Sequence, residues 1–144
     1  SPSVALNVLG QTATPGPSGG TFGQSVPASA ASDLVTVGVS RSIAPVREDG
    51  RFRTNLILAN AGTSIVTVDL TLLSASGAIL GTRSVSLHPL GMTQVGPLVG
   101  GMGVSGAVRD AQLLLTTSTT GGAFAAYASV IDNVTNDPRT LLPN

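Results

Sequence analysis

Hydrophobic residues near the N-terminus alternate with small and polar ones. Val4, Leu6 and Val8 occupy every second position, which is the pattern of a strand with one buried face. The periodicity stops after this segment. The sequence therefore predicts an N-terminal extension over residues 1–9 that forms a strand. The face with Val4, Leu6 and Val8 requires an apolar surface to cover it, either on the chain's own body or on a neighbouring subunit.

The rest of the chain divides into a linker and a body. Residues 10–32 are rich in proline, glycine and serine and predict a linker without regular structure. Residues 33–144 predict a strand-rich domain with hairpin turns at sites such as Asp49-Gly50. Its expected strands are 33–40, 52–60, 65–73, 79–87, 92–95, 111–117 and 123–132. A single helical turn is expected at 98–102, between the fifth and sixth of these strands.

This spacing of strands favours an all-β fold. About seven short strands joined by hairpin turns are typical of an antiparallel β-sandwich, either immunoglobulin-like or jelly-roll-like. A closed barrel is the alternative. The side chains predicted to share its core are Leu56, Leu58, Val66, Val68, Leu70, Leu72, Phe124 and Val130.

The composition indicates a surface that does not electrostatically repel other copies of the chain. Only 10% of the residues are charged, and seven basic residues balance seven acidic ones. A net charge near zero promotes association. It also argues against a nucleic-acid partner, which would require a basic stripe.

Lysine and cysteine are absent. The chain begins at Ser1 and is rich in serine, threonine and glycine, which fits an exported bacterial protein after removal of a leader. We therefore expect an extracellular or cell-surface location. No apolar run approaches the ~20 residues that a membrane-spanning helix needs.

No residue cluster matches a catalytic template. His88 is the only histidine and has no second histidine or cysteine with which to bind a transition metal. Asp132 and Asp137 belong to an oxygen-rich segment that could bind Ca²⁺, but such residues are also good turn formers. Glu48 and Asp49 are adjacent and predict a solvated turn. We therefore expect no enzymatic activity, no cofactor and no metal.

The N-terminal pattern resembles the donor strands of bacterial pilins and biofilm-fibre subunits, on the basis of Val4, Leu6, Val8 and a sandwich-like body. The resemblance implies that the extension completes a sheet of the neighbouring subunit by β-augmentation. The implied partner is another copy of the chain, and the implied product is a homopolymer. Chaperone–usher pilins often carry a disulfide, whereas this chain has no cysteine. This departure favours either another type of exported fibre or no fibre at all.

A second hypothesis is a binding or spacer module. The stretch from Phe52 through Gly77 and the strand ending at Ala128–Asn133 are similar to sandwich modules found in secreted bacterial proteins. Such a module could contact a glycan or another surface. Sugar-binding faces usually present exposed aromatic rings, whereas this chain has three Phe and one Tyr, and Phe52 and Phe124 fall on predicted core faces.

Overall fold

A computed structural model describes residues 8–16 and 19–144. Within these ranges the chain forms eleven strands, a 3-10 turn at Ala31–Asp33 and a short helix α1 at Leu98–Gly101. The strands are β1 (Leu9–Pro15), β2 (Thr21–Pro27), β3 (Val35–Thr36), β4 (Arg41–Glu48), β5 (Phe52–Asn60), β6 (Val66–Leu73), β7 (Ile79–Leu87), β8 (Met92–Val95), β9 (Val108–Thr116), β10 (Ala123–Asp132) and β11 (Pro138–Leu141). No helix of the described residues is long and apolar enough to cross a membrane.

The body consists of two antiparallel sheets. One has the order β11-β10-β5-β8, with β3 paired to the start of β10, and the other has the order β4-β9-β6-β7. The prediction of an all-β antiparallel sandwich is confirmed, although the strands are more numerous than the expected seven. A separate two-stranded sheet, β1-β2, precedes the body.

The core lies between the two sheets and is aliphatic. Alternate residues of β6 point inward, and Leu70 is 1% exposed. The predicted core residues are confirmed as buried except Val130, which is partly buried and packs against the core. Phe124 is the largest side chain to be fully buried.

The strand predicted over residues 33–40 is wrong beyond Val35–Thr36. Gly38 adopts a φ of 81°, and the amide of Val39 donates a hydrogen bond of 3.0 Å to the carbonyl of Thr36. The backbone therefore turns, because glycine reaches this left-handed conformation without steric cost. Val37 is left 52% exposed.

The strand β4, which contains Pro45, was not among the strands predicted from the sequence. The structure accommodates Pro45 within β4, which pairs along its length only with β9 and shifts register between Ile43 and Val46. Proline is tolerated at edge strands and bulges because no central ladder needs its missing N–H group. The last strand similarly begins at a proline, Pro138.

The predicted linker over residues 10–32 is wrong for much of its length, because β1 and β2 form a hairpin there. Its turn is closed by a hydrogen bond of 2.6 Å from the amide of Gly16 to the carbonyl of Gly20. The hairpin has no continuous apolar face of its own. Its strands therefore lack the hydrophobic alternation from which a strand is usually predicted.

Candidate functional site

The N-terminal hairpin lies on the outward face of the β11-β10-β5-β8 sheet. Along β2, half-buried Phe22, Gln24 and Val26 alternate with exposed residues. Gln24 accepts a hydrogen bond of 2.8 Å from the hydroxyl of Ser129, and Ser129 is only 3% exposed. The hairpin is therefore a third layer, seated on β10 and β11 through β2.

The outer strand of the hairpin, β1, has little contact with the body. All of its seven residues are exposed. At its start, the amide of Ala28 donates a hydrogen bond of 3.0 Å to the carbonyl of Val8. Val8 is 54% exposed and Leu9 is 64% exposed. The chain thus enters the described structure through an apolar segment that the body does not cover.

Of the three predicted interface residues, the structure describes one. Val8 lies at the base of the hairpin beside Ala28, whereas Val4 and Leu6 lie outside the described residues. Leu9, which was predicted as the end of the extension, belongs to β1. Val8 and Leu9 of the predicted extension are therefore part of the hairpin rather than of a separate strand.

A groove runs beside β2 on the outward face of the sheet, and we call it the outer groove. Its volume is about 170 Å³. Its lining includes Val26 and Pro27 of β2, Met92 of β8, and Ile57, Ala59 and Tyr127 of the sheet beneath. Ile57 and Tyr127 are cross-strand neighbours of β5 and β10, and strand alternation places both on the outward face.

The outer groove was not predicted from the sequence. The alternation places Ile57 and Ala59 of β5, like Ala125 and Tyr127 of β10, on the face away from the core. The sequence signal that could have predicted the groove is the presence of apolar residues on the outward faces of two adjacent strands. The exposed Met92, at 73% exposure, extends this apolar area from β8.

A second, polar pocket lies near the start of β5, away from the outer groove. Its volume is about 330 Å³, and its lining includes Arg47, Phe52, Asp110, Asp132, Asp137 and Arg139. The guanidinium of Arg47 lies 4.1 Å from the centre of the Phe52 ring. This cation–π contact covers one face of the ring. We call this cavity the end pocket.

Asp49 organises the charged residues near the end pocket. Its carboxylate accepts hydrogen bonds of 2.9 Å from the amides of Arg51 and Phe52 and ion pairs with Arg47 and Arg109 at 2.9 and 3.1 Å. The amide of Arg51 and the guanidinium of Arg47 hold the pKa of Asp49 well below its usual range, against the opposing effect of burial. Asp49 is therefore a structural anion that fixes the β4–β5 turn.

Asp132 serves a similar purpose at the turn before β11. Its Oδ1 accepts hydrogen bonds from the amides of Val134 and Thr135 at 2.8 and 3.3 Å. The Val134 amide foremost, together with the Thr135 amide and Arg51, lowers the pKa of Asp132. This is the hydrogen bonding of an Asx turn, as the sequence suggested.

Residues suited to metal binding are dispersed in the described ranges. Across residues 8–16 and 19–144, no group of three or more His, Cys, Asp or Glu side chains could hold a metal ion. His88 lies in the turn between β7 and β8, where its carbonyl accepts hydrogen bonds from the side chain of Asn60 and the amide of Gly91. The backbone of His88 thus contributes to a turn.

No protein-family model, curated protein or solved structure matches the chain. An inference about function therefore depends on the geometry of this molecule. Two features offer a surface for a partner: the apolar entry of the chain with the outer groove beside it, and the polar end pocket.

Proposed function

We propose that the protein is a structural subunit of an extracellular filament, in which the N-terminal segment of one subunit adds as a strand to the next. The observation that carries the proposal is the exposed apolar entry at Val8 and Leu9, at the base of a hairpin whose outer strand is exposed throughout. Exposed apolar edge strands invite pairing with another chain unless lysine, proline or a bulge blocks them.

The surface composition supports this proposal. The chain carries no net charge and few charged residues, so that electrostatic repulsion between stacked copies is small. Donation from each copy to the next is a heterologous contact, which propagates into open arrays unless it closes into a ring. The absence of lysine and cysteine is in keeping with an exported protein.

A comparison of the free energies of burial and of association predicts that assembly is reversible. Burying Val4 and Leu6 would contribute about 1.5–3 kcal/mol each. The loss of translational and rotational freedom on association costs about 4–15 kcal/mol. Two side chains alone therefore do not drive assembly, and main-chain hydrogen bonds must add to them. We expect filaments to form above a threshold protein concentration and to dissociate on dilution.

Electron microscopy and sedimentation of purified protein test the proposal. The native chain should form filaments, whereas a chain lacking residues 1–7 and the double variant Val4→Asp, Leu6→Asp should remain folded monomers. Val134→Asp is the matched control, since Val134 is 79% exposed and lies in the turn before β11. Absence of filaments from the native chain, or their persistence without residues 1–7, would contradict the proposal.

A second candidate function is recognition of a polar ligand such as a carbohydrate, which the end pocket favours. Its carboxylates and guanidinium groups can hydrogen-bond hydroxyls, and Phe52 supplies an aromatic ring. Arg47 already covers one face of that ring, which reduces its use for sugar stacking. Chemical-shift changes at Phe52 and Asp137 on titration with oligosaccharides would support this function, and their absence would contradict it.

A further inference from the structure

We propose that copies of the chain join through two open strand edges, with β1 of one copy paired to β7 of the next. This inference rests on the proposed function and assigns the strands that meet at the interface, β1 being the described part of the N-terminal segment. Among the described strands, β1 pairs only with β2, and β7 pairs only with β6. Each therefore has an edge whose backbone N–H and C=O groups can bind another chain.

In the part of the chain that the structure describes, β7 is the one long and unprotected edge strand of the two body sheets. β3, β8 and β11 have two, four and four residues. β4 contains Pro45, and the backbone of its Ser42 is already paired with that of Asn144. β7 has nine residues and neither proline nor lysine. Short length, proline and lysine are common protections against edge pairing, and β7 has none of them.

The backbone of both strands is free along the edges in question. Across residues 8–16 and 19–144, no hydrogen bond joins the backbone of Thr82–Ser86 to an element other than β6, or that of Gly10–Thr14 to an element other than β2. The register of β7 shifts only at its Ile79 end, which leaves Gly81–Leu87 regular. These seven residues match the seven residues of β1 in length.

Charge favours β1 over a second β7 as the partner. Arg83 is the middle residue of β7, so full antiparallel overlap of two β7 strands would place Arg83 opposite Arg83. Like charges directly opposite each other destabilise a strand pair. β1 carries no charged residue, and its Thr12 and Thr14 can form cross-strand hydroxyl pairs with Thr82 and Ser86.

Within one chain the two strands are held apart. β1 belongs to the hairpin on the outward face of the β11-β10-β5-β8 sheet, where Thr140 of β11 donates a hydrogen bond of 2.9 Å to the carbonyl of Ser25. β7 belongs to the other sheet, on the far side of the core. With the hairpin docked in this way, β1 can pair only with the β7 of another copy. Contact between two different edges is heterologous and continues from copy to copy.

Thiol cross-linking tests the pairing, because the native chain contains no cysteine. The variants Thr12→Cys and Ser86→Cys are purified separately, mixed at high concentration and treated with a bismaleimide that tolerates a shift of register. A cross-linked pair of twice the chain mass is expected. Gln112→Cys, used in place of Ser86→Cys, is the matched control and should give no such pair, since Gln112 is exposed on β9, an interior strand of the same sheet.

The double variant Thr12→Cys, Ser86→Cys distinguishes contact between copies from contact within one. Pairing between copies gives a ladder of cross-linked multimers on denaturing gels. An internally cross-linked single chain would overturn the proposal. So would an equal yield of pairs from Thr12→Cys alone, which would show that β1 pairs with itself.

A second experiment blocks the β7 edge with charge. Thr82→Lys, Ser86→Lys should abolish filaments with unchanged circular dichroism, because lysine on an edge strand opposes strand addition. Thr71→Lys, Gln112→Lys adds the same charge to interior strands of that sheet and should leave filaments intact.

The outcomes separate this inference from the proposed function. Filaments that require residues 1–7 but persist in Thr82→Lys, Ser86→Lys would overturn the assignment of β7 and leave the proposed function standing. Absence of filaments from the native chain would refute the proposed function. Absence of the cross-linked pair from the mixture of Thr12→Cys and Ser86→Cys would refute the pairing of β1 with β7.

Discussion

The hydroxyl of Ser129 on β10 donates a hydrogen bond of 2.8 Å to the side-chain oxygen of Gln24 on β2, across a separation of 105 positions. Ser129 lies on the outward face of its sheet and is nevertheless 3% exposed. A second contact, from the hydroxyl of Thr140 to the carbonyl of Ser25 at 2.9 Å, strengthens the same attachment. The hairpin is thus docked by a small number of polar contacts.

We expect Gln24→Ala to loosen the hairpin without unfolding the sandwich. The substitution removes the acceptor of a buried hydroxyl, which costs about 1–3 kcal/mol. Amides of β1 and β2 should exchange with solvent about five- to a hundredfold faster, while those of β6 remain protected. Hydrogen exchange measured by NMR tests this, with exposed Gln112→Ala in β9 as the control. Equal acceleration in β6 would contradict local opening.

The body was predictable because its strands alternate. β5, β7, β8 and β10 occupy the ranges expected from the sequence, since burial of one sheet face dictates a period of two. The hairpin was not predictable by the same rule. Its position depends on contacts such as Gln24 to Ser129 between distant polar residues, and periodicity carries no information about these.

Leu70→Ala should destabilise the sandwich strongly. Leu70 is 1% exposed in the central part of β6, and removing a buried leucine side chain costs about 2–5 kcal/mol through lost burial and the cavity left behind. Chemical denaturation gives the free energy of unfolding. Leu90→Ala is the control, because Leu90 is 72% exposed. Similar losses in both variants would contradict the assigned register of β6.

We expect the side chain of Asn60 to be essential to the stability of the sandwich at its end near β8. Its amide nitrogen donates hydrogen bonds to the carbonyls of Ser64, Leu87 and His88, at 2.8, 3.2 and 3.0 Å, and its oxygen accepts from the amide of Gly62 at 2.8 Å. Asn60→Asp places a carboxylate against these three carbonyls. We expect a larger loss of stability than the ~1–3 kcal/mol of an unsatisfied buried group.

Thermal or chemical denaturation at neutral pH tests this prediction. Asn60→Ala should fall between the native chain and Asn60→Asp, because it removes the donors without adding a charge. Lowering the pH should restore part of the stability of Asn60→Asp, since a protonated acid can donate one hydrogen bond. An Asp variant as stable as the native chain would show that the amide donors contribute little.

The predicted interface illustrates what sequence reasoning could and could not supply. The apolar alternation of Val4, Leu6 and Val8 is visible in the sequence and indicates that a surface must cover it. The outer groove is not visible there, because its wall is Val26 and Pro27 of the hairpin that was predicted as a linker. A groove lined by residues of β2, β5, β8 and β10 becomes visible only in the fold.

The stability of the protein should decline in acid, and Asp49 should cause part of the decline. The amide of Arg51 and the guanidinium of Arg47 hold the pKa of Asp49 well below its ordinary value, whereas an unfolded aspartate has a pKa of about 3.9. The unfolded state therefore binds a proton more readily. The stabilisation is present above the unfolded pKa and is lost as the pH falls toward the folded one.

We therefore expect the free energy of unfolding of the native chain to be level near neutral pH and to fall as the pH decreases below about 5. Asn at position 49 cannot titrate, so Asp49→Asn should be less stable at pH 7 and should lose less further stability between pH 5 and pH 2. Urea denaturation across this range measures both slopes. Leu70→Ala is the control for general destabilisation, since it removes no charge and should shift the whole curve while keeping the native slope. An unchanged slope in Asp49→Asn would mean that other carboxylates, such as Asp132 with its lowered pKa, govern acid unfolding.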